Sequence, residues 1–343
     1  MNLRVDSHKL HFHPSRVAQW MEADTWEKAK QVYPIYVEIS PVGACNHRCT
    51  FCSVDYVGYK AVMLDQRILA DRLHEMGELG IKSVMYAGEG EPLLHKDINQ
   101  MVMAAVNSGI DVAFTTNGVL LNKLDTRSMC DWIKVSVNGG TSKSYATIHR
   151  CKERDWDTVW DNIRYAAKHK GKMKLGVQTL LLENIQHEIQ ELYDRCDDAG
   201  VDYFVVKPYS QHKFSKTHMH EGEVTRPPMI KTRNTQFIFR EEVYKTTEIP
   251  YEKCQATPNF WAYIMASGDV YSCSAYLLDE RFLLGNVGTD SFRSIWQGDK
   301  RRDNWHYVRE KLDIHECRLN CRMDKVNRYL TDLVQGVPGQ NFI

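Results

Sequence analysis

An α/β fold on a parallel sheet, followed by a smaller region of different grain, is what this sequence predicts, on three observations. From Ile35 to about Tyr209, short apolar runs alternate with amphipathic stretches. From Ser210 to about Pro250 the chain turns polar and the alternation stops. Beyond that, a hairpin signal is followed by amphipathic helical text.

The strand segments are Ile35–Ile39, Ser83–Ala87, Val112–Thr115, Trp132–Val137, Lys174–Leu181 and Tyr203–Val206. Each is rich in β-branched or aromatic residues and bounded by Gly, Pro, Asn or Ser. Helical text between them includes Asp65–Leu79, Lys96–Ser108 and His187–Ala199. The last sets Ile189, Leu192, Tyr193 and Cys196 on one face. Six β–α units in series imply a parallel sheet, either doubly wound or curled into an open barrel, and periodicity does not choose between them. The polar stretch, with Pro227-Pro228 at its middle, reads as a linker or a long functional loop. In the last part, Phe260–Ala266 and Val270–Ser274 flank Ser267-Gly268-Asp269, a hairpin signal. Helical text then covers Ser291–Trp296, Arg302–Leu312 and Cys321–Val334.

With 343 residues, 43% hydrophobic and 26% charged, the chain can bury a sizeable core and exceeds one ordinary domain. Its 44 basic and 44 acidic residues cancel, which argues against nucleic acid as the main partner. Charges and histidines occupy the first residues where a secretory signal has an apolar run, and no stretch reaches membrane-span length. The expectation is a cytoplasmic protein without a membrane partner, in which ten cysteines mean metal or catalysis before disulfides.

Three of those cysteines fall in Pro41-Val-Gly-Ala-Cys45-Asn-His-Arg-Cys49-Thr-Phe-Cys52, just past the first strand's carboxyl end, where α/β proteins build their sites. Three thiolates this close can hold three corners of one iron–sulfur cubane, and no fourth cysteine is near to take the last iron. An iron left open can chelate a substrate directly, as an open position on a catalytic zinc does. The plainer alternatives are a zinc knuckle or three core cysteines; zinc asks for a fourth Cys or His, and His47 sits between the ligands where it crowds the loop.

The Cys-x3-Cys-x2-Cys spacing with Phe51 before the last cysteine resembles the signature of the radical S-adenosylmethionine (SAM) superfamily. The resemblance implies a partial (β/α)6 TIM-like barrel, a [4Fe–4S] cluster with an open iron that binds the methionine amino and carboxylate groups of SAM, and reductive cleavage to a 5′-deoxyadenosyl radical that abstracts hydrogen from a substrate. It also implies anaerobic work and a reductant such as flavodoxin or ferredoxin. Other positions carry over singly. Ala87-Gly88-Glu89 stands where the family usually has Gly-Gly-Glu. Asn117, Ser136 and Asn138 stand at strand ends that meet ribose or carboxylate in relatives, and are otherwise turn-formers. Arg150 resembles an arginine that pairs with the methionine carboxylate. Phe51 lines the adenine pocket or packs under the loop.

Cys254, Cys273, Cys317 and Cys321 form a second set. Gly268 turns the hairpin between the first two, and Cys317-x3-Cys321 adds two close thiolates at a helix start. Four cysteines complete one auxiliary [4Fe–4S] cluster or one zinc site. The hairpin, Leu284-Gly-Asn-Val287, Ser291-Phe-Arg-Ser-Ile-Trp296 and Cys321-Arg-Met-Asp resemble the twitch domain, a truncated SPASM domain, which implies one auxiliary cluster in a small α+β domain. The resulting division is an extension (1–34), the partial barrel (35–210), a linker or substrate loop (211–250) and the cluster domain (251–343).

Cys196 falls on the apolar face of its helix and reads as core, and Cys130 lies before the fourth strand, away from the chemistry. Cys151, next to Arg150, is the one unassigned thiol that sequence brings near the site, as a hydrogen donor or as packing. Between Lys207 and Arg233, six Lys/Arg against two Glu leave a surplus of four, with His212, His218 and His220 alongside. That loop suits an anion such as a nucleotide sugar, or is a solvated linker. The expected function is a radical SAM oxidoreductase or isomerase acting on a small polar substrate of carbohydrate type. Oxidation is favoured over epimerisation with Cys151 as donor, or dehydration. The alternatives are a peptide (RiPP) maturase and a non-catalytic iron–sulfur module; maturases often carry an N-terminal recognition domain, and about thirty-four residues precede the first strand here.

Overall fold

The computed structural model describes residues 7–218, 227, 229–240, 249–317 and 321–342. All six expected strands form: β1 (Tyr36–Ile39), β2 (Ser83–Tyr86), β3 (Asp111–Thr116), β4 (Trp132–Ser136), β5 (Lys174–Leu181) and β6 (Tyr203–Pro208). They pair in parallel and in sequence order. Four more strands extend the sheet: β7 (Gln236–Phe239) beyond β6, and β8 (Trp261–Ile264), β9 (Asp269–Tyr271) and β10 (Leu283–Asn286) beyond β1. The order is therefore β10-β9-β8-β1-β2-β3-β4-β5-β6-β7.

The pairing register separates two faces, because successive side chains alternate sides. Val37, Ile39, Val84, Tyr86, Phe114, Val135, Val177 and Phe204 share one face and form the main core. They pack beneath the helices α3 (Gln66–Glu78), α4 (Ile98–Asn107), α6 (Arg154–Lys168) and α7 (Ile189–Ala199). The other face carries Glu38, Met85, Ala113, Lys134, Ser136, Gln178 and Lys207. A doubly wound sheet needs apolar residues on both faces, since helices cover both. Here one face holds ionisable groups, and it lines the inside of an open barrel.

One sequence expectation changes. The stretch 211–250 is more than a linker or loop: it contains β7, paired with β6 from Tyr203↔Gln236 to Val206↔Phe239. A four-residue strand in a polar surround carries too weak an alternation to register as one. Part of that stretch, including Arg226, Pro228 and His220, lies outside the described residues. The C-terminal region continues the same sheet, with β8 parallel to β1 from Tyr36↔Trp261 to Ile39↔Ile264.

The N-terminal helices α1 (Pro14–Met21) and α2 (Trp26–Ala29) are built into the same body. Ala23, Ala29 and Val32 pack with Trp305 of α9 (Asp299–Glu310). Arg301, fully buried on α9, donates to the carbonyls of Pro258, Ala29, Trp296 and Val32 and lies 4.1 Å from the Trp296 ring. No carboxylate appears among those partners. Four carbonyls from three segments, rather than a counter-ion, satisfy the guanidinium.

Candidate active site

The loop after β1 is held by close backbone contact. Val42 bridges Met63, Gly43 N–H donates to Val62, and Glu91 N–H donates to the Ala44 carbonyl at 2.9 Å. Gly90 makes that approach possible: a Cβ there would stand 2.1 Å from the Val42 oxygen and 2.3 Å from that of Ala44. The loop's far side is tied to α5 (Ser142–His149), with Arg48 and Thr50 N–H groups donating to the carbonyls of His149 and Ile148.

The thiols of Cys45, Cys49 and Cys52 come together, each half-buried. Burial pushes all three up, Cys45 to about 12, and Cys45 and Cys49 are raised further by neighbouring thiols of the set. Three thiolates cannot coexist there without a multivalent cation, so this donor set fits an iron cluster. Among the described residues, His47–Cys49–His149 and His47–Cys151–Asp155 are three-ligand groups with all donor atoms within 4.8 Å of one another.

His149 backs Cys49. Its Nε2 accepts from the Asn138 N–H at 3.0 Å, so the ring proton is on Nδ1, which stands 3.4 Å from the Cys49 sulfur and donates to it. Burial keeps the ring neutral by lowering its pKa far below the usual value. His47 lies buried behind the same loop, 3.4 Å from Asp155 Oδ2.

The carried-over positions divide. Gly88 ends up at φ +114, and a Cβ there would meet Ser40 at 2.3 Å and the Tyr263 hydroxyl at 2.6 Å, so glycine is required. The Glu89 carboxylate is engaged elsewhere: it accepts from the Tyr263 hydroxyl and Ala266 N–H, both at 2.9 Å, clamping β2 to the β8–β9 hairpin. The backbone at 88–89, the part of this segment that the resemblance assigns to the methionine amino group, is left for a ligand. The Asn138 side chain is engaged as well. Its Oδ1 accepts from Leu180 N–H at 2.7 Å and its Nδ2 lies 3.3 Å from His149, joining β4, β5 and α5. Asn117 donates to Asn46 at 2.7 Å and accepts from Val119 N–H at 3.1 Å, partly a turn role. Ser136 is half-buried on the inner face. Arg150 caps α5 in the left-handed region at φ 47 and is exposed. Phe51 packs with Ile148, Leu180, Leu182 and Ile185, its ring 5.5 Å from that of His149.

Cys151 is half-buried on the turn after α5. It packs against the outer core, hydrogen-bonds Asp155 and groups with His47 behind Cys49; burial, with Asp155 adding, pushes its thiol up to about 12. The turn after α5 carries it round the outside of the loop.

Sequence reasoning missed Glu91 and Asp55. Glu91 is buried, accepts from Thr116, Asn117 and Leu93, and is pushed up to about 7 by burial. Its charge opposes a Cys45 thiolate. Asp55 fastens the basic stretch over the cluster loop, accepting from Lys216 N–H at 3.0 Å and the Thr217 hydroxyl at 2.8 Å. Ser215 adds a bond to the Cys52 carbonyl at 3.0 Å. Neither acid belongs to a recurring spacing that sequence alone can flag.

The second set also assembles. Cys254, Cys273, Cys317 and Cys321 are half-buried; burial and neighbouring thiols raise Cys273, Cys317 and Cys321, the last to about 12. Three donors reach their sulfurs: the Tyr276 hydroxyl 3.2 Å from Cys317, Met323 N–H 3.4 Å from Cys321, and Asn327 Nδ2 3.5 Å from Cys254. Val54, Tyr56 and Val57 from the first loop pack in the same apolar cluster as Cys254, Cys273 and Cys317. Arg322, beside Cys321, reaches into the barrel and pairs with Glu38. The inner face of the barrel thus meets a thiol set at its mouth and a residue of the other set's loop.

Comparison with known proteins agrees with this arrangement. Residues 39–196 match the model of the radical SAM superfamily, and residues 254–322 match SPASM, an iron–sulfur cluster-binding domain. The GTP 3′,8-cyclase of Chlorobaculum tepidum is 30% identical over 195 residues, covering 54% of this chain and 58% of that protein. The GTP 3′,8-cyclase of Lactiplantibacillus plantarum is 30% identical over 184 residues, covering 50% and 54%. The chain spans little more than half the length of these curated relatives. Among solved structures, Streptococcus suis SuiB bound to precursor peptide SuiA superposes with a TM-score of 0.64 at 19% identity, covering 96% of this chain and 78% of SuiB. Native anSMEcpe with bound AdoMet gives 0.57 at 14% identity, covering 86% and 88%. At these identities the two structures speak for the fold. Among the described residues no helix is long and apolar enough to cross a membrane.

Proposed function

Because the chain belongs to the radical SAM superfamily and carries an iron–sulfur SPASM domain, we propose that it abstracts hydrogen from a small polar substrate held inside the barrel, and oxidises it. Its cofactors are a [4Fe–4S] cluster, SAM and auxiliary iron–sulfur. Bound together, the reduced cluster and SAM supply a hydrogen-abstracting radical. One observation carries the reading: the barrel's inner face is polar and ionisable, between Cys45, Cys49 and Cys52 on one side and the loop of Cys321 on the other. An enclosed wall excludes water, and its polar groups orient a substrate.

In this reading Cys45, Cys49 and Cys52 hold the SAM-binding cluster, and Cys254, Cys273, Cys317 and Cys321 hold one auxiliary cluster. Oxidation requires the substrate to lose a second electron, which calls for an acceptor beyond the chamber, where the second thiol set stands. Epimerisation requires a hydrogen donor, and the position of Cys151 behind the loop weakens that route. The carbohydrate-type substrate expected from sequence gains no support from the relatives, whose names refer to a nucleotide and a peptide. A peptide substrate is the second reading, favoured by the superposition on peptide-bound SuiB over 96% of the chain. The test is deuterium transfer from labelled candidates into 5′-deoxyadenosine, using reduced, anaerobically reconstituted protein. Label from a small molecule and a product two hydrogens lighter supports the first reading. Label from a peptide alone supports the second, and no 5′-deoxyadenosine at all overturns both.

Two further outcomes are expected at this site. The Nδ1–H of His149 stabilises negative charge on Cys49, and hydrogen bonds to ligand sulfurs help set cluster potentials. His149→Phe should therefore shift the SAM-binding cluster to a more negative potential at unchanged iron content, read by a redox titration followed by electron paramagnetic resonance. An unmoved potential removes the bond from the account. Arg150→Ala should weaken SAM binding while both clusters assemble. Exposure and screening limit the loss to about 1 kcal/mol, and an unchanged SAM dissociation constant takes Arg150 out of the site.

A further inference from the structure

Among the described residues, the barrel's inner face contains a lysine that no carboxylate pairs with directly. Lys134, on β4, is set by register beside Thr115 of β3 and Gly176 of β5. It is half-buried, and its ammonium lies 5.6 Å from the Trp132 ring. Among the described residues it pairs with no carboxylate. The acid within electrostatic range is Glu38 of β1, and Glu38 already pairs with Arg322, whose guanidinium also lies 3.4 Å from the Tyr36 hydroxyl and 5.6 Å from the Trp261 ring. Arg240, just past β7, adds a third positive charge to the field at Lys134.

Register sets Lys134 on the inner face with Glu38, Ser136 and Gln178, and Arg322 reaches the same face through its pair with Glu38. Burial, helped by Arg240 and Arg322 and only partly offset by Glu38, lowers Lys134 to about 8. Buried Arg301 has four carbonyls in place of a carboxylate, whereas Lys134 has neither among the described residues, and an unpaired buried charge costs stability. The residues at the same level on either side, Thr115 and Gly176, offer no acid.

We propose that this chamber binds a phosphate group of the substrate, with Lys134 and Arg322 as its contacts and Arg240 contributing to the field. A phosphate monoester carries a charge of about −1.5 to −2 near neutral pH and has three acceptor oxygens. Arginine suits its planar bidentate recognition, and lysine supplies a compact point charge. The three cations come from β4, the segment after β7 and the loop after Cys321, so they converge from separate elements. The proposal rests on the chamber being the substrate site, and it narrows that substrate to a phosphorylated molecule.

The test uses anaerobically reconstituted holoenzyme with SAM, titrated calorimetrically with inorganic phosphate, pyrophosphate and, separately, succinate. Wild-type protein should bind phosphate or pyrophosphate, and Lys134→Met should weaken that binding at least tenfold at unchanged iron content. Lys134→Arg should restore it. The groups facing Lys134 are Glu38, Arg240 and Arg322. Since Lys134 is a cation only below about 8, wild-type affinity should fall between pH 7 and pH 9, and Lys134→Arg should flatten that fall. No binding of either phosphate probe, equal binding by Lys134→Met, or tighter binding of succinate overturns the proposal. Absence of 5′-deoxyadenosine from wild-type protein that binds phosphate would overturn the proposed function and leave the anion site standing.

Discussion

Replacing Cys45, Cys49 and Cys52 together with alanine is expected to abolish 5′-deoxyadenosine formation and to lower iron from about eight to about four per chain. The activity loss should be complete, because no other described thiol stands ready to replace them. Cys151 is turned toward Asp155 and the outer core, and Cys130 and Cys196 are buried. The remaining iron should stay because the second set draws on separate elements: Cys254 before β8, Cys273 after β9, and Cys317 with Cys321 ahead of α10 (Asp324–Gln335). Its own N–H and O–H donors, from Met323, Asn327 and Tyr276, do not depend on the first loop. Iron and zinc analysis with electron paramagnetic resonance makes the measurement. About four irons and one zinc in the intact protein would overturn the iron assignment of the second set.

Gly90→Ala should be nearly as damaging without touching a ligand. The new Cβ would meet two carbonyl oxygens at 2.1 and 2.3 Å, both on the backbone of the loop that carries Cys45. Ordinary overpacking costs about 1–3 kcal/mol because side chains can yield. Backbone oxygens cannot yield without moving the loop and breaking the 2.9 Å bond from Glu91 N–H to Ala44. The expected result is loss of about four irons and of SAM cleavage, with the second cluster's signal and the far-ultraviolet circular dichroism retained. Full iron loading with normal cleavage would show that the loop tolerates displacement.

Much of this was legible in the chain because it is local. A β-branched run such as Lys174–Leu181 announces a strand through its side-chain chemistry, and the structure returns the same bounds. Cys45, Cys49 and Cys52 announce a metal site because three thiols within eight residues can reach corners of one cluster. Asp65 announces a helix start, and its carboxylate accepts from the N–H groups of Arg67 and Ile68 at 2.8 and 3.0 Å. β7, by contrast, was lost in polar text, and the bonds that tie the Glu89 and Asn138 side chains to other strands join residues far apart in the chain.

By itself, then, the sequence determined the parallel strands, the two cysteine sets and the kind of cofactor, all of which follow from neighbours in the chain. Tertiary structure alone decided which way each side chain faces across strands distant in sequence. Register turns Lys134 inward, a paired β8 brings Tyr263 onto Glu89, and the turn after α5 takes Cys151 behind the loop. The physical reason is that burial, ion pairing and desolvation are properties of a location. Glu38, Lys134, Arg240 and Arg322 come from four separate segments, and only the closing of the sheet makes them one electrostatic site.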